Sequence, residues 1–295
     1  MTAVRPFLVG LVGSGVTPSL TPPLHMAEAA ALGIPYVYRP VDIDRLGLRA
    51  EQIGEILRWA RALGFDALNV THPAKQLVLE HLDAVDPVAA ALGAVNTVLL
   101  GPDGDVGFNT DTSGFATALS TGLPGVTLDD VVLLGAGGAG SAVADALLRL
   151  GVAHLTVVDV DPARAGALAE SLRQRHTAAV AVAGSAELPG LLRRADGVVH
   201  CTPTGMAAHP GTPFDPQLLH PGLWVADIVY RPLETELLRA ARAAGCRTLD
   251  GGHMAVHQAV DAFALITGRT PDAARMGRHF RDLVGAERAD LALPA

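Results

Sequence analysis

An apolar run that ends in three spaced glycines limits this chain more than any other feature. Val131-Val132-Leu133-Leu134 is followed by Gly135-Ala136-Gly137-Gly138-Ala139-Gly140. The run reads as a strand, the glycines as a tight turn and the alanine-rich segment beyond as a helix. The first glycine permits the turn. The second lets backbone N–H groups approach a pyrophosphate, and the third lets the helix pack closely on the strand. Glycines alone are a weak signal, because any strand–turn–helix can use them. Here Asp159 also closes the next expected strand, Leu155–Asp159, 24 residues after Gly135. That is near the spacing of about 20 at which a carboxylate meets an adenosine ribose. Context and acid together point to a dinucleotide.

Charge selects the dinucleotide. A carboxylate at Asp159 accepts hydrogen bonds from both ribose hydroxyls and repels a 2′-phosphate, so NAD is expected and NADP is the lesser alternative. The residues that follow are Val160-Asp161-Pro162, with no base among them. Arg164 has three readings: packing over the adenine, capping the helix start, or reaching a phosphate. Ser141 reads as a helix-start residue as much as a ligand contact.

With 295 residues, 49% hydrophobic and 18% charged, the chain can bury the core of one large domain or two ordinary ones. A net charge of −8 without a basic tract argues against nucleic acid. No apolar stretch approaches the roughly 18 residues of a membrane span, and the N-terminus lacks a signal-peptide core. Cys201 and Cys246 have no metal or redox spacing, so reduced thiols and a cytoplasmic location are expected. Among the histidines at 25, 72, 209, 220, 253 and 257, only His253 and His257 have helical i, i+4 spacing. They lack the flanking acid of a zinc helix, and no metal is expected.

The first third alternates strands and helices. Phe7–Gly13, Tyr36–Val41 and Ala67–Val70 read as strands. Thr21-Pro22-Pro23 opens a helix, Ala50–Leu63 is a second ending at Gly64, and a third is expected from Ala74. Ala94–Leu100 and Asp105–Asn109 flank a Gly-Pro-Asp-Gly turn and read as a hairpin. A helix near Ser113–Gly122 leads to Leu123-Pro124-Gly125, an entry to a second domain. From Val131 the pattern becomes regular. Strands at Val131–Leu134, Leu155–Asp159, Gly197–Cys201 and Trp224–Val229 alternate with helices at Ala139–Leu150, Ala163–Gln174, near Leu188–Arg194 and at Glu234–Ala244. The fold class expected is α/β, with a parallel sheet covered on both faces. The tail from His253 is helical.

A dinucleotide fold does not name a reaction. Polar residues beside turns are concentrated at Asn69–Gln76, at Asn96 and at Asn109–Gly114. Hydride transfer from an alcohol needs a base for the hydroxyl proton, which a lysine alone or with a carboxylate can supply. Lys75 and Asp111 are the natural pair. Lys75 reads equally as a solvated helix residue, and Asp111 as a helix N-cap. Tyr230, before Arg231-Pro232, is placed at the carboxyl edge of the sheet near the nicotinamide or the substrate, as a substrate-binding residue or a hydrogen-bonded wall residue.

The blocks Ser19-Leu20-Thr21-Pro22-Pro23-Leu24-His25, Asn69-Val70-Thr71-His72-Pro73-Ala74-Lys75, Gly93–Thr97, Asn109–Gly114, Asp250–Met254 and His257-Gln258-Ala259 resemble, in order, the signature blocks of the shikimate dehydrogenase family. The resemblance covers nearly the whole chain. It implies an N-terminal α/β substrate domain, a Rossmann-type cofactor domain, and C-terminal helices returning to the first. The division it suggests is residues 1–112 plus 253–295 for substrate and 113–252 for cofactor. It implies hydride transfer at the C3 hydroxyl of a cyclohexane carboxylate, with Lys75 and Asp111 as catalytic residues. Ser19 and Thr21 would hold the carboxylate, and Asn69, Thr71, Asn96 and Gln258 the ring hydroxyls. Thr202, Met206, Val229 and Gly252 would line the nicotinamide.

Two departures sharpen the expectation. Thr21 stands where the family's S-x-S-P block has its second serine. Val158-Asp159-Val160-Asp161 stands where a basic NADP clamp is usual. Both resemble the NAD-dependent quinate/shikimate dehydrogenase branch. Alternatives are an NADP-dependent biosynthetic enzyme, an enzyme for amino-substituted analogues, or a non-catalytic binding module of the same fold. A small-molecule substrate and a monomer or homodimer are expected.

Overall fold

The computed structural model describes residues 5–292. Two compact units divide them, residues 1–110 with 258–295, and residues 111–257. Residues 111–112 and 253–257 therefore group with the second unit.

The first unit contains β1 (Phe7–Gly13), α1 (Thr21–Ala31), β2 (Tyr36–Asp42), α2 (Ile53–Ala62), β3 (Ala67–Val70), β4 (Ala84–Val85), α3 (Pro87–Leu92), β5 (Thr97–Gly101) and β6 (Gly104–Phe108). Their sheet has the order β2-β1-β3-β5-β6-β4. β1 is parallel to β2 and β3, while the β5–β6 hairpin runs antiparallel to β3. The hairpin reads from its turn residues, as expected. The helix expected from Ala74 is instead a turn and a short 3-10 helix, Leu77–His81. The Lys75 carbonyl accepts from Val95 N at 2.9 Å, so it is taken from any α-helical ladder. On α1, the buried Glu28 carboxylate accepts from Asp272 N, Arg275 Nε and Arg275 Nη2 at 2.8, 2.8 and 2.6 Å. That ties the N-terminal helix to the last one.

The second unit contains α4 (Asp111–Gly122), β7 (Asp130–Leu134), α5 (Gly138–Arg149), β8 (His154–Val158), α6 (Pro162–Arg173), β9 (Ala179–Ala183), α7 (Leu188–Leu192), β10 (Gly197–His200), β11 (Trp224–Asp227), α8 (Glu236–Ala243) and β12 (Arg247–Leu249). α9 (Gly251–Thr267) starts there and ends in the first unit, which also holds α10 (Ala273–Ala292). The sheet order is β12-β11-β10-β7-β8-β9, and every pairing is parallel. This is the doubly wound arrangement expected. β9 and β12, which the periodicity does not single out, are its two edges. Leu133, Leu147 and Leu155 are fully buried in its core, each contributing about 1.5–3 kcal/mol by leaving water.

A buried carboxylate locks α5 to the end of α6. Asp145 accepts from Arg149 Nε and Arg175 Nη1 at 2.6 Å each, and lies 2.8 Å from His176 Nε2. Burial alone would raise its pKa. Hydrogen bonds from Arg149 and His176 and the charges of Arg149 and Arg175 outweigh burial and hold it below the usual aspartate value. A depressed folded pKa stabilises fully above the unfolded value, and the contribution is lost as pH falls through the folded one. Asp145→Ala is expected to cost about 3 kcal/mol at neutral pH and to flatten the loss of stability in the acid range below about pH 4. Urea denaturation at pH 7 and at low pH checks both, and unchanged midpoints would remove the lock from the account.

Candidate active site

Four chain segments bring polar residues to one edge of the first sheet. β1 and β3 are parallel, so the residues that follow them, Ser14–Thr21 and Thr71–Lys75, leave the sheet on the same side. β5 is antiparallel to β3, with Asn69 opposite Thr97, so Asn96 enters at that edge. β6 returns to it, with Phe108 opposite Thr97, and delivers Thr110. The segments touch closely. A β-carbon on Gly13 would lie 2.4 Å from Thr71 Cγ2, so only glycine lets the Thr71 turn approach the end of β1. Ser14 N donates to His72 O at 3.0 Å and Thr71 N to Val12 O at 2.9 Å.

The loop carrying Ser19 and Thr21 is held by Asp42 at the end of β2. Asp42 accepts from Thr17 Oγ1 at 2.7 Å, Thr17 N at 3.0 Å and Gly15 N at 3.2 Å. The Thr17 hydroxyl bond, with help from the loop N–H groups and against desolvation, keeps the Asp42 pKa below the ordinary value. Thr21 is the first residue of α1, and its N–H donates to Ser19 Oγ at 3.3 Å. Asn69 is committed to the sheet more fully than its expected role implies. Its Oδ1 accepts from the buried Tyr38 hydroxyl at 2.5 Å, and its Nδ2 donates to Thr97 Oγ1 at 2.9 Å and Asn96 O at 3.3 Å. One Oδ1 lone pair remains for a ligand. Asn96 Oδ1 accepts from Thr110 N at 2.9 Å. Thr71 and Lys75 are half-buried at this edge, and Gln258 is half-buried on α9. Asp111 lies in the second unit, buried, as the first residue of α4.

The second sheet changes winding direction between β7 and β10, and such a switch point opens a crevice at the carboxyl ends of the strands. Gly135 leaves β7 there with φ +99°, a conformation that favours glycine. A β-carbon on Gly140 would lie 2.0 Å from the Gly135 carbonyl oxygen. The turn and α5 can meet only without a side chain at Gly140, while a β-carbon on Gly135 would lie 2.8 Å from the Cys201 carbonyl oxygen after β10. α5 begins at Gly137 with no side-chain cap, which leaves its first N–H groups for an anion. The segment Gly135–Gly140, with Ala136, Gly138 and Ala139, thus has the form a pyrophosphate fits.

Asp159 follows β8, and its carboxylate is pinned to this turn. Oδ2 accepts from Ala136 N at 2.7 Å and Oδ1 from Asp161 N at 2.9 Å. Arg164 Nη1 lies 3.9 Å from Asp159 Oδ1, with the Arg164 side chain 54% exposed against 5% for Asp159. Capping α6 falls to Asp161, which accepts from Ala163 N and Arg164 N at 3.0 and 3.3 Å. The Arg164 side chain does not supply that cap.

Thr202 sits across the crevice, its Cγ2 3.0 Å from where a Gly135 β-carbon would be. Met206 lies in the following turn, 42% exposed. Val229 and Tyr230 follow β11. Gly251 packs against the Ile228 and Val229 carbonyls, where a β-carbon would come within 2.3 and 2.6 Å, and so brings Gly252 to the same place. Desolvation, with the Asp227 charge adding, pushes the Cys201 thiol pKa up, so this sulfur is a poor nucleophile. Among the described residues no group of three or more His, Cys, Asp or Glu side chains could hold a metal. Sequence reading overlooked His200 and Asp227, the last residues of β10 and β11, which are buried and bonded to each other. The available signal was a polar residue closing each of two otherwise apolar strands.

Two family models match. Residues 11–98 match the shikimate dehydrogenase substrate binding domain, and residues 131–208 the saccharopine dehydrogenase NADP binding domain. A shikimate dehydrogenase (NADP(+)) of Streptomyces avermitilis is 60% identical over 95% of this chain and 96% of its own length. The chain belongs to the shikimate dehydrogenase family. A quinate/shikimate dehydrogenase (NAD(+)) of Corynebacterium efficiens is 51% identical over 94% of this chain and 98% of its own. Quinate dehydrogenase from Corynebacterium glutamicum, solved in complex with NAD, is 49% identical with a TM-score of 0.89, covering 94% of this chain and 99% of that one.

As a member of the shikimate dehydrogenase family the chain is an oxidoreductase that uses a pyridine nucleotide. The substrate-domain match contains Ser19, Thr21, Asn69, Thr71, Lys75 and Asn96, and the second match contains the glycine turn, Asp159, Arg164, Thr202 and Met206. The close approach at Gly140 makes a direct test of the turn. Gly140→Ala is expected to weaken NADH binding at least tenfold, because the added carbon must displace backbone. Fluorescence titration measures it, and wild-type affinity in a folded variant would show that the turn tolerates the displacement.

Proposed function

We propose that this enzyme interconverts quinate or shikimate with the corresponding 3-dehydro acid, using NAD in preference to NADP. The observation that carries the cofactor choice is the Asp159 carboxylate, buried and held against the glycine turn by the Ala136 N–H. Ribose hydroxyls donating to such an acceptor gain about 1.5–3 kcal/mol each. A 2′-phosphate about 4 Å away would instead meet repulsion on the order of 4 kcal/mol at an effective dielectric near 20. Arg164 opposes this repulsion, but it is mostly in water, where solvent screens it. The carboxylate prevails.

The chemistry follows from the residues. When bound, the nicotinamide accepts hydride from the carbinol carbon or returns it to the ketone. Gly135, Ala136, Gly137, Gly138, Ala139 and Gly140 hold the pyrophosphate at the start of α5. Asp159 holds the ribose, with Arg164 over the adenine. Thr202, Met206, Val229 and Gly252 would face the nicotinamide half, and Tyr230 the substrate. Lys75 takes the hydroxyl proton in oxidation and gives it back in reduction, and Asp111 orients the hydroxyls. Ser19 and Thr21 bind the carboxylate, a task for hydroxyl donors at the start of α1. Thr71, Asn96, Gln258 and the remaining Asn69 lone pair match ring hydroxyls, because a buried polyol needs a partner for each. The substrate residues, Asp111 among them, belong to residues 1–112 with 253–295, apart from Tyr230, and the cofactor residues to 113–252.

A second reading, NADP with shikimate, is favoured by Arg164 standing exposed beside Asp159 and by the name of the Streptomyces avermitilis relative. Initial rates at 340 nm with both cofactors and with quinate, shikimate and an amino analogue separate the readings. NAD with quinate or shikimate is expected to give the highest kcat/KM, and a higher value with NADP would overturn the preference. Asp159→Ala is expected to lower kcat/KM for NAD at least tenfold and to narrow the gap to NADP. An unchanged ratio would remove Asp159 from the choice.

Lys75 has its own test. Lys75→Ala is expected to lower kcat by a factor of about 100 to 10,000, the range of general acid–base catalysis, with little change in KM. A retained kcat would exclude Lys75 from proton transfer.

A further inference from the structure

A buried chain of hydrogen bonds runs behind Thr202 and is absent from the chemistry above. His200 and Asp227 close β10 and β11, are paired in register, and are almost wholly buried. Asp227 Oδ1 is 2.9 Å from His200 Nδ1 and accepts from Val229 N at 3.0 Å. Its Oδ2 accepts from Thr235 Oγ1 at 2.8 Å, and Thr235 in turn caps α8 by accepting from Leu238 N at 3.2 Å. On the other side of the ring, His200 Nε2 is 2.5 Å from Thr202 Oγ1. One carboxylate therefore joins the end of β10, the loop after β11 and the start of α8.

The network also has a polarity. A carboxylate only accepts, so the first proton on the His200 ring belongs on Nδ1, facing Asp227. With one proton on the ring, Nε2 is an acceptor, and the hydrogen facing it is that of the Thr202 hydroxyl. Thr202 donates inward and offers lone pairs outward. One is met by Thr204 N at 3.3 Å. Thr204 Oγ1, 3.2 Å away, is a second acceptor within reach of the Thr202 hydrogen, and His200 Nε2 at 2.5 Å is the nearer of the two. The packing of Thr202 Cγ2 against Gly135 holds this hydroxyl at the crevice.

Resting on the dinucleotide reading above, we propose that Asp227 and His200 are positioning residues that make Thr202 a hydrogen-bond acceptor for the carboxamide N–H of the nicotinamide. In a doubly wound sheet the second half, here β10, β11 and β12, receives the nicotinamide mononucleotide, and Asp159, the residue after β8, marks the adenosine side. The carboxamide amine is the one donor on the nicotinamide ring. An acceptor oriented before binding meets it without reorganisation.

The probes are NADH and reduced 3-acetylpyridine adenine dinucleotide, in which a methyl group replaces the carboxamide amine. Dissociation constants come from fluorescence titration of the full chain, with thermal melts to establish folding. Thr202→Val keeps the shape and removes the hydroxyl. His200→Asn keeps a donor where Nδ1 stood, and so the bond to Asp227, but removes the acceptor facing Thr202. Each is expected to weaken NADH binding about three- to tenfold, the effect of one hydrogen bond, and to leave the analogue unchanged. The double variant is expected to be no weaker than either single one, because His200 acts through Thr202. Equal losses for both dinucleotides, or fully additive losses in the double variant, would reduce His200 to a structural residue and overturn the proposal. If the wild-type protein binds neither dinucleotide, the cofactor reading itself fails and takes the proposal with it.

Discussion

The second unit is organised around one close approach, that of α5 to the turn beneath it. A side chain at Gly140 would overlap the Gly135 carbonyl, so the absence of one β-carbon sets how near the helix comes to the turn. That distance has consequences in both directions along the chain. It aims the uncapped start of α5 at the crevice between β7 and β10. It places the Ala136 N–H within reach of Asp159, which fixes a negative charge at one end of the turn. It also leaves room for Thr202 at the other end. The aim of the uncapped helix start, the place of the Asp159 carboxylate and the position of a hydroxyl thus follow from one packing constraint. None of them requires long side chains, which would lose more conformational freedom on ordering.

The first unit solves a different problem. Its edge must present many polar groups without leaving them unpaired when no ligand is present. Most are therefore bonded to one another. Asn69, Asn96, Thr97 and Thr110 form a connected set around the start of β5, with Tyr38 donating into it from β2. Such a set is rigid because each bond fixes the next partner, and its unused lone pairs point in fixed directions. Asp42 serves the Ser14–Thr21 loop in the same way. A loop tied by three hydrogen bonds to one carboxylate has few ways to move, which lowers the entropic cost of ordering it around any ligand.

How much of this the sequence displayed depended on whether a feature was local. The glycine turn, Asp159 and the alternation of strands and helices are patterns within short windows, and they placed the doubly wound sheet. The family blocks gathered Ser19, Thr21, Asn69, Thr71 and Asn96, and strand direction explains why these converge. The failures were tertiary. Periodicity around Ala74 favoured a helix, but the Lys75 carbonyl was claimed by Val95, twenty residues on. β9 and β12 went unread because an edge strand needs only one partner and carries a weak pattern. Ala179–Ala183 has little but alanine and valine, and Arg247–Leu249 has three residues. Arg164 as a helix cap was a local guess, and Asp161, one residue before the helix, fills that place.

His200 and Asp227 show most clearly what a linear reading conceals. Each is a polar residue at the end of an apolar strand, where exposure to solvent is the ordinary expectation. Their burial follows from register, because β10 and β11 are parallel neighbours whose last residues face each other. A charge taken out of water is costly unless paired and fully bonded. Asp227 meets that condition with donors from a histidine, a backbone N–H and a threonine. An apolar pair would fill the same space at lower risk to stability, and would leave the Thr202 hydroxyl free to rotate. The buried pair is thus better explained by the direction it gives that hydroxyl than by any strength it adds to the sheet.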